Sequence, residues 1–239
     1  MAQLNGGQIM WLGHATFKIT TPSGKVILID PWIEQNPKSP PEAKQLDKVD
    51  LITVSHGHMD HIADVIPTAR KFHSQVVAIV EVATWLGSKG VENTIGMNIG
   101  GSVNVDGITL SMTQAFHSSG IEDNGQMVSG GDPVGFVIEL ENGFKIYHAG
   151  DTCAFGDMQL IHELYTPDIA MLPIGDFYTM GPKGAALAAR LLGVKQVIPM
   201  HYGTFPALHG TPAGLRDELK KLGLSDVNVI ELTPGQALS

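Results

Sequence analysis

The chain runs twice through the same order of elements, and this recurrence constrains its fold more than any other feature. The first pass opens with apolar-rich β runs at residues 9–12 and 16–20, a turn at "TPSGK" and a strong β run at 26–29. A polar, Pro-rich stretch over 34–48 reads as a loop. Residues 51–54 form a short apolar strand, and 62–72 carry helical spacing, with Ile62, Val65, Ile66 and Ala69 on one face. Residues 76–80 are a second buried strand, and a short helix is expected around 82–86. The second pass repeats the order. Residues 108–116 and 134–140 read as strands, and "ENG" turns the chain tightly into a strand over 144–148. Helices over 158–164, 184–192 and 212–222 then alternate with strands over 169–172, 197–200 and 227–232.

Strands followed by strand–helix–strand units, twice over, pack as two sheets face to face with helices on both outer surfaces. Neither half has enough helices to cover both faces of its own sheet, and no long linker parts them. One domain over residues 1–239 is therefore expected. The longest polar, Gly-rich stretch, residues 119–133, is expected to be a lid or binding loop.

Bulk properties narrow the function. With 43% hydrophobic and 16% charged residues the composition is that of an ordinary globular chain. A net charge of −9 argues against a nucleic-acid partner, which a basic surface would serve. No apolar run reaches the roughly 18 residues of a membrane span, and "MAQLNGGQIMW" has no signal-peptide pattern. The expectation is a cytoplasmic protein that acts on a small molecule, anionic ones included, with no nucleic-acid or membrane partner. Its oligomeric state is not fixed by the sequence. Cys153 is the single cysteine, so no internal disulfide forms, and it reads as a small buried apolar residue.

One stretch carries chemistry. "SHGHMDH" (Ser55 to His61) places His56, His58, Asp60 and His61 in the pattern H-x-H-x-D-H, just past the carboxyl end of a buried strand. Asp60 alone would read as a helix N-cap, and each histidine alone as a polar loop residue. Together they are the imidazoles and carboxylate that bind zinc and similar divalent ions. Four groups from one turn do not surround an ion, so others must join them. His117 in "TQAFHSSG", Asp151 in "KIYHAGDT" and His201 in "QVIPMHYGTF" each follow a predicted strand in the same way. Seven ligands are too many for one four-coordinate ion and about right for two.

In order and rough spacing, "SHGHMDH", His117, "GDT" with Asp151 and "MHYG" with His201 resemble the motifs of the metallo-β-lactamase superfamily. The resemblance covers essentially the whole chain. "WLGHATFKI", "PIGDFYTMGP" and "PMHYGTF" look closer still to its small bacterial and archaeal metal-dependent hydrolases, relatives of the L-ascorbate-6-phosphate lactonases. The resemblance implies an α/β fold, a four-layer αββα sandwich of two mixed sheets. It implies that His56, His58 and His117 hold one metal, that Asp60, His61 and His201 hold the other, and that Asp151 bridges them. It places His14 beside the metal cleft as a hydrogen-bond donor to the reacting group. The cofactor expected is two divalent ions, zinc first, with manganese, iron and nickel suited to the same nitrogen and oxygen donors.

The activity implied is hydrolysis of a phosphodiester, lactone or thioester of a small metabolite by a metal-bridging hydroxide, with Asp60 passing a proton to the leaving group. A non-hydrolytic di-iron redox or metal-sensing protein on the same fold is the alternative. Flavo-di-iron relatives usually replace one histidine by a carboxylate, whereas His58 keeps the hydrolytic pattern here. Asp30, in "LIDPW", reads as a turn former or a partner of a ligand. Asp176 is a candidate to orient a ligand histidine, and the Gly amide in "MGP" to face a substrate anion. His148 reads as structural, and His73, His162 and His209 as solvated.

Overall fold

The structure is a computed structural model that describes residue 4 and residues 6–239. The first part of the N-terminal stretch read for a signal peptide, residues 1–3 and 5, lies outside the described residues.

The elements follow in the order β1 (Gln8–Trp11), β2 (Phe17–Thr20), β3 (Val26–Ile29), β4 (Leu51–Thr53), α1 (Met59–Ile62), α2 (Val65–Phe72), β5 (Gln75–Ile79), α3 (Val80–Ser88) and β6 (Thr94–Met97). Then come β7 (Ser102–Val105), β8 (Ile108–Gln114), β9 (Gly120–Asp123), β10 (Gln126–Ser129), β11 (Val134–Glu139) and β12 (Lys145–His148). The chain ends with α4 (Met158–Tyr165), β13 (Ile169–Pro173), α5 (Pro182–Leu192), β14 (Gln196–Met200), α6 (Pro212–Lys221), β15 (Asn228–Val229) and β16 (Ala237–Leu238).

Two seven-stranded sheets result, in the orders β16-β1-β2-β3-β4-β5-β6 and β15-β14-β13-β12-β11-β8-β7. Each mixes the two pairings: β1, β2 and β3 pair antiparallel, as do β7, β8, β11 and β12, whereas β3, β4 and β5 pair in parallel, as do β12, β13 and β14. The repeat read from the sequence is thus a repeat of sheet construction.

Alternation along the strands of the second sheet builds two cores. Ile146, Met171 and Ile198 face the first sheet and pack with Phe17, Ile27 and Ile52. Their neighbours Tyr147, Ala170, Leu172 and Val197 face the other way, under Ala185, Ala189 and Leu215 of α5 and α6. Burial on both faces is why these strands read as unbroken apolar runs.

Several expectations change. The helix expected over 62–72 breaks into α1 and α2, because the Asp64 carboxylate accepts from the Ile33 and Glu34 amides and Asp64 N–H donates to Pro31 O. Residues 119–133 are not an open loop: β9 and β10 form a ribbon, in register from Gly120 with Ser129 to Asp123 with Gln126. The last strand, expected over 227–232, pairs only at β15. Cys153 is exposed, not buried. No helix among the described residues is long and apolar enough to cross a membrane.

Candidate metal centre

Parallel strands bring their carboxyl ends to one edge, and the candidate ligands leave from there. His56, His58, Asp60 and His61 follow β4, Asp151 follows β12 and His201 follows β14, while His117 follows the antiparallel β8. Gly150 lets the chain turn sharply into Asp151. Its φ is +61°, and a Cβ there would lie 2.5 Å from Val134 O. His14 and His201 also have positive φ, 56° and 55°, and their backbones are joined by His201 N–H donating to His14 O at 3.0 Å.

The side chains converge on Asp151. Its Oδ2 lies 3.0 Å from His201 Nε2, 3.3 Å from His61 Nε2, 3.6 Å from His117 Nε2 and 3.9 Å from His56 Nε2. Around it the potential ligand atoms fall into sets within 4.8 Å of one another. One is His56, His58 and His117, and another is His14, Asp60, His61 and His201. The seven predicted residues are therefore brought together, and His14 joins them.

Behind the candidate ligands lies a carboxylate. Asp30, fully buried, accepts from Ser55 N–H at 2.7 Å, from the Ser55 hydroxyl at 2.5 Å and from His61 Nδ1 at 2.8 Å. The Ser55 hydroxyl also meets His56 Nδ1 at 3.0 Å. This chain places a ring proton of His56 and of His61 on Nδ1 and aims both Nε2 atoms toward Asp151. His56 Nε2 in turn faces His58 Nδ1 at 2.9 Å.

On the other side, His14 Nε2 meets Asp60 Oδ2 at 2.9 Å and His14 Nδ1 meets Thr204 Oγ1 at 3.0 Å. Burial, aided by the charge of His201, lowers the His14 pKa to about 4. Its neutral ring donates from Nε2 to Asp60 and accepts from the Thr204 hydroxyl.

The electrostatics call for positive charge. Burial raises the Asp151 carboxyl, but the charges of His201 and His61 outweigh it and hold the group well below the usual carboxylate range. Asp60 is likewise pushed up by burial and pulled lower still by the His14 hydrogen bond and by His61. Burial lowers His61, yet Asp151 and Asp30 more than reverse it. His56, His58 and His117 are depressed, chiefly by burial.

His61 Nε2, Asp151 Oδ1 and His201 Nδ1 are buried without a hydrogen-bond partner. Unpartnered buried polar atoms beside buried carboxylates are unfavourable in a protein interior, and a cation held by His61 Nε2 and the Asp151 carboxylate would relieve two of them. The donor set of imidazoles and carboxylates fits divalent metal ions.

Other expectations divide. Asp30 serves a candidate ligand directly. His148 is structural: it is buried, meets Ala15 O at 3.2 Å and accepts from Gly150 N–H. Asp176 orients no histidine; it accepts from Phe177 N–H at 2.8 Å. Its carboxylate fills the space beside Gly181, where a Cβ would lie 3.0 Å away. His73 and His209 are exposed and His162 is half-buried. The roles of Ser55 and Thr204 were not foreseen, for nothing in their sequence surroundings distinguishes them from other hydroxyls beside a turn.

A cavity of about 690 Å³ opens over the centre, lined by His58, Asp60, His117, Asp151 and His201 among others. That volume is typical of a small-molecule site.

Comparison with known proteins agrees with this construction. The family model described as "Beta-lactamase superfamily domain" matches residues 25–202. A protein of Rubrobacter xylanophilus described as a UPF0173 metal-dependent hydrolase is 52% identical over 236 residues, covering 98% of this chain and 97% of that one. The structure of Igni18, a metallo hydrolase from the archaeon Ignicoccus hospitalis, is 37% identical, with a TM-score of 0.84 and 97% of each chain covered. The di-iron β-hydroxylase CmlA from Streptomyces venezuelae shares the fold at 13% identity, with a TM-score of 0.74, covering 97% of this chain and 54% of that one. The chain thus belongs to the β-lactamase superfamily and, within it, to the family of metal-dependent hydrolases that includes the Rubrobacter protein.

Proposed function

We propose that this metal-dependent hydrolase works with two divalent ions, zinc first among them, and cuts an ester-type bond in a small molecule. The observation that carries the reading is the position of Asp151, with one carboxylate oxygen facing the Nε2 atoms of four histidines that belong to two ligand sets. His56, His58 and His117 would hold one ion, Asp60, His61 and His201 the other, and Asp151 both. Bound divalent ions lower the pKa of water from about 16 toward about 7 and polarise the bond under attack.

The chain's own residues do the rest. Asp30 and Ser55 fix the tautomers and directions of His56 and His61. Asp60 lines the cavity and is one-fifth exposed, so its carboxylate can take a proton from water and return it to the leaving group. His14 has both ring nitrogens engaged and is fully buried, so in this arrangement it positions Asp60 and does not reach the substrate.

Elemental analysis paired with a screen of generic phosphodiester, lactone and thioester substrates tests the reading. About two equivalents of metal and turnover are expected in the native chain, and loss of both in Asp151→Ala. Full turnover by Asp151→Ala without bound metal would overturn it. A stoichiometric iron site that cycles redox state without hydrolysis would favour the di-iron alternative.

A further inference from the structure

The cavity over the centre has two characters. Its polar side is the histidines and carboxylates already described. The rest of its wall is Met59, Tyr178, Phe205, Pro206 and Ala207, with Ser118 as a neutral polar group. Among the described residues that line it there is no lysine or arginine. Sites that recognise a phosphate or carboxylate on a metabolite commonly place a guanidinium or ammonium group on the anion. This wall offers none.

Exposed apolar side chains gather at the same place. Met59 is 52% exposed and Tyr178 56%, and Phe177, next to Tyr178, is 70% exposed. Large apolar groups held in water around one opening mark a binding surface. The turn that presents the aromatic pair is held there against its backbone preference. Asp176 and Phe177 both have positive φ, 66° and 59°, a conformation that consecutive non-glycine residues adopt only when their surroundings impose it. Tyr178 N–H donates to Asp176 O at 2.7 Å, and Met180 N–H donates to Thr152 O at 3.0 Å, which fastens the turn to the residue after Asp151. The two rings meet edge to face, with centroids 4.7 Å apart. Phe205 stacks on the buried Trp32 ring at 5.7 Å, so it is backed by the core.

We propose that the substrate is an uncharged ester, lactone or thioester of an apolar carboxylic acid, its acyl group lying against Met59, Tyr178 and Phe205, and not a phosphorylated or otherwise anionic metabolite. The inference rests on the hydrolase reading above and adds the substrate class to it. In the reaction the acyl C–O or C–S bond breaks and a C–O bond to the water oxygen forms. One water proton goes to the leaving alcohol or thiol, and the other is released as the acid ionises.

The test uses the metal-loaded protein and p-nitrophenyl esters of acetic, butyric, pentanoic and hexanoic acids, with the glutaric monoester and bis(p-nitrophenyl) phosphate beside them. kcat/KM should rise about fourfold per added methylene until the wall is covered, the worth of burying one CH2. The glutaryl ester, which ends in a carboxylate, should fall about tenfold or more below the pentanoyl ester of equal length, since its charge would meet an apolar wall. Tyr178→Ala should slow the hexanoyl ester several-fold more than the acetyl ester, and Tyr178 is exposed enough that folding is not at issue.

Calorimetry with hexanoate and glutarate provides a readout that needs no turnover, with hexanoate expected to bind more tightly. A flat chain-length series, or preference for the glutaryl ester or the phosphodiester, would overturn the inference. If nothing is turned over, the hydrolase reading fails and the two acids still decide this one: tighter hexanoate upholds the apolar wall, and equal or weaker binding refutes it.

Discussion

Asp30 follows β3 at a φ of +45°, and its carboxylate gathers three donors from residues 25 and 31 positions further along the chain. Replacing it by asparagine keeps the volume and puts an amide N–H₂ where donors already point. His61 then loses the acceptor that holds its proton on Nδ1. Metal affinity should fall about 10- to 100-fold, the usual cost of losing such a partner, as measured by competition with a chelator. Unchanged affinity in Asp30→Asn would mean that His61 is oriented by other contacts. The candidate ligands were legible in the sequence because H-x-H-x-D-H packs four of them into one turn and the other three each follow an apolar run. Asp30 was legible only as a strand-end aspartate, since its partners lie far off in the chain. His14 was legible only as a histidine between two strands, since its partners Asp60 and Thr204 lie 46 and 190 residues further along the chain.

The elements that matter most are the strand ends. β12 delivers Asp151 through Gly150, whose left-handed backbone and close approach to Val134 O leave no room for a side chain. Gly150→Ala should cost about 1–3 kcal/mol from backbone strain alone, and more from the clash, read as a lower urea midpoint. A midpoint equal to the native one would show that the turn relaxes. Central strands such as β3 and β13 were legible because they are buried on every residue. β6 and β7 were not. They lie at sheet edges, are partly exposed along their length and carry polar residues, so neither shows an apolar run. The β9–β10 ribbon was hidden for a similar reason: its Gly-rich, polar sequence suits a loop as well as a hairpin.

For the whole molecule, the buried imidazoles set how the metal-free chain responds to pH. His14, His56, His58, His117 and His148 have pKa values lowered chiefly by burial. Each binds its proton more tightly when unfolded, so its contribution is present above about pH 6.5 and is lost as pH falls through that value. His61 is shifted the other way, and its contribution is full below about pH 6.5 and lost only as pH rises toward its raised value. Five groups lose stability between pH 7 and pH 5, and His61 offsets little of it because its contribution is already full below about pH 6.5. The melting temperature of the metal-free protein should therefore drop over that interval, and a flat or rising profile would contradict the neutral state assigned to those five rings.

The candidate ligands also come from both sheets: four residues follow β4 in one, and His117, Asp151 and His201 follow β8, β12 and β14 in the other. The two sheets are like the covers of a closed book, with the apolar core as the pages and the ion as a clasp on one margin. An ion held from both covers would tie that margin together, and its removal would let the margin loosen. Backbone amides beside β4 and β14 should then exchange with solvent faster after chelation, and those at the far margin should hardly notice. Metal content would thus be read in the hydrogen-exchange pattern of one edge of the molecule before any substrate is found.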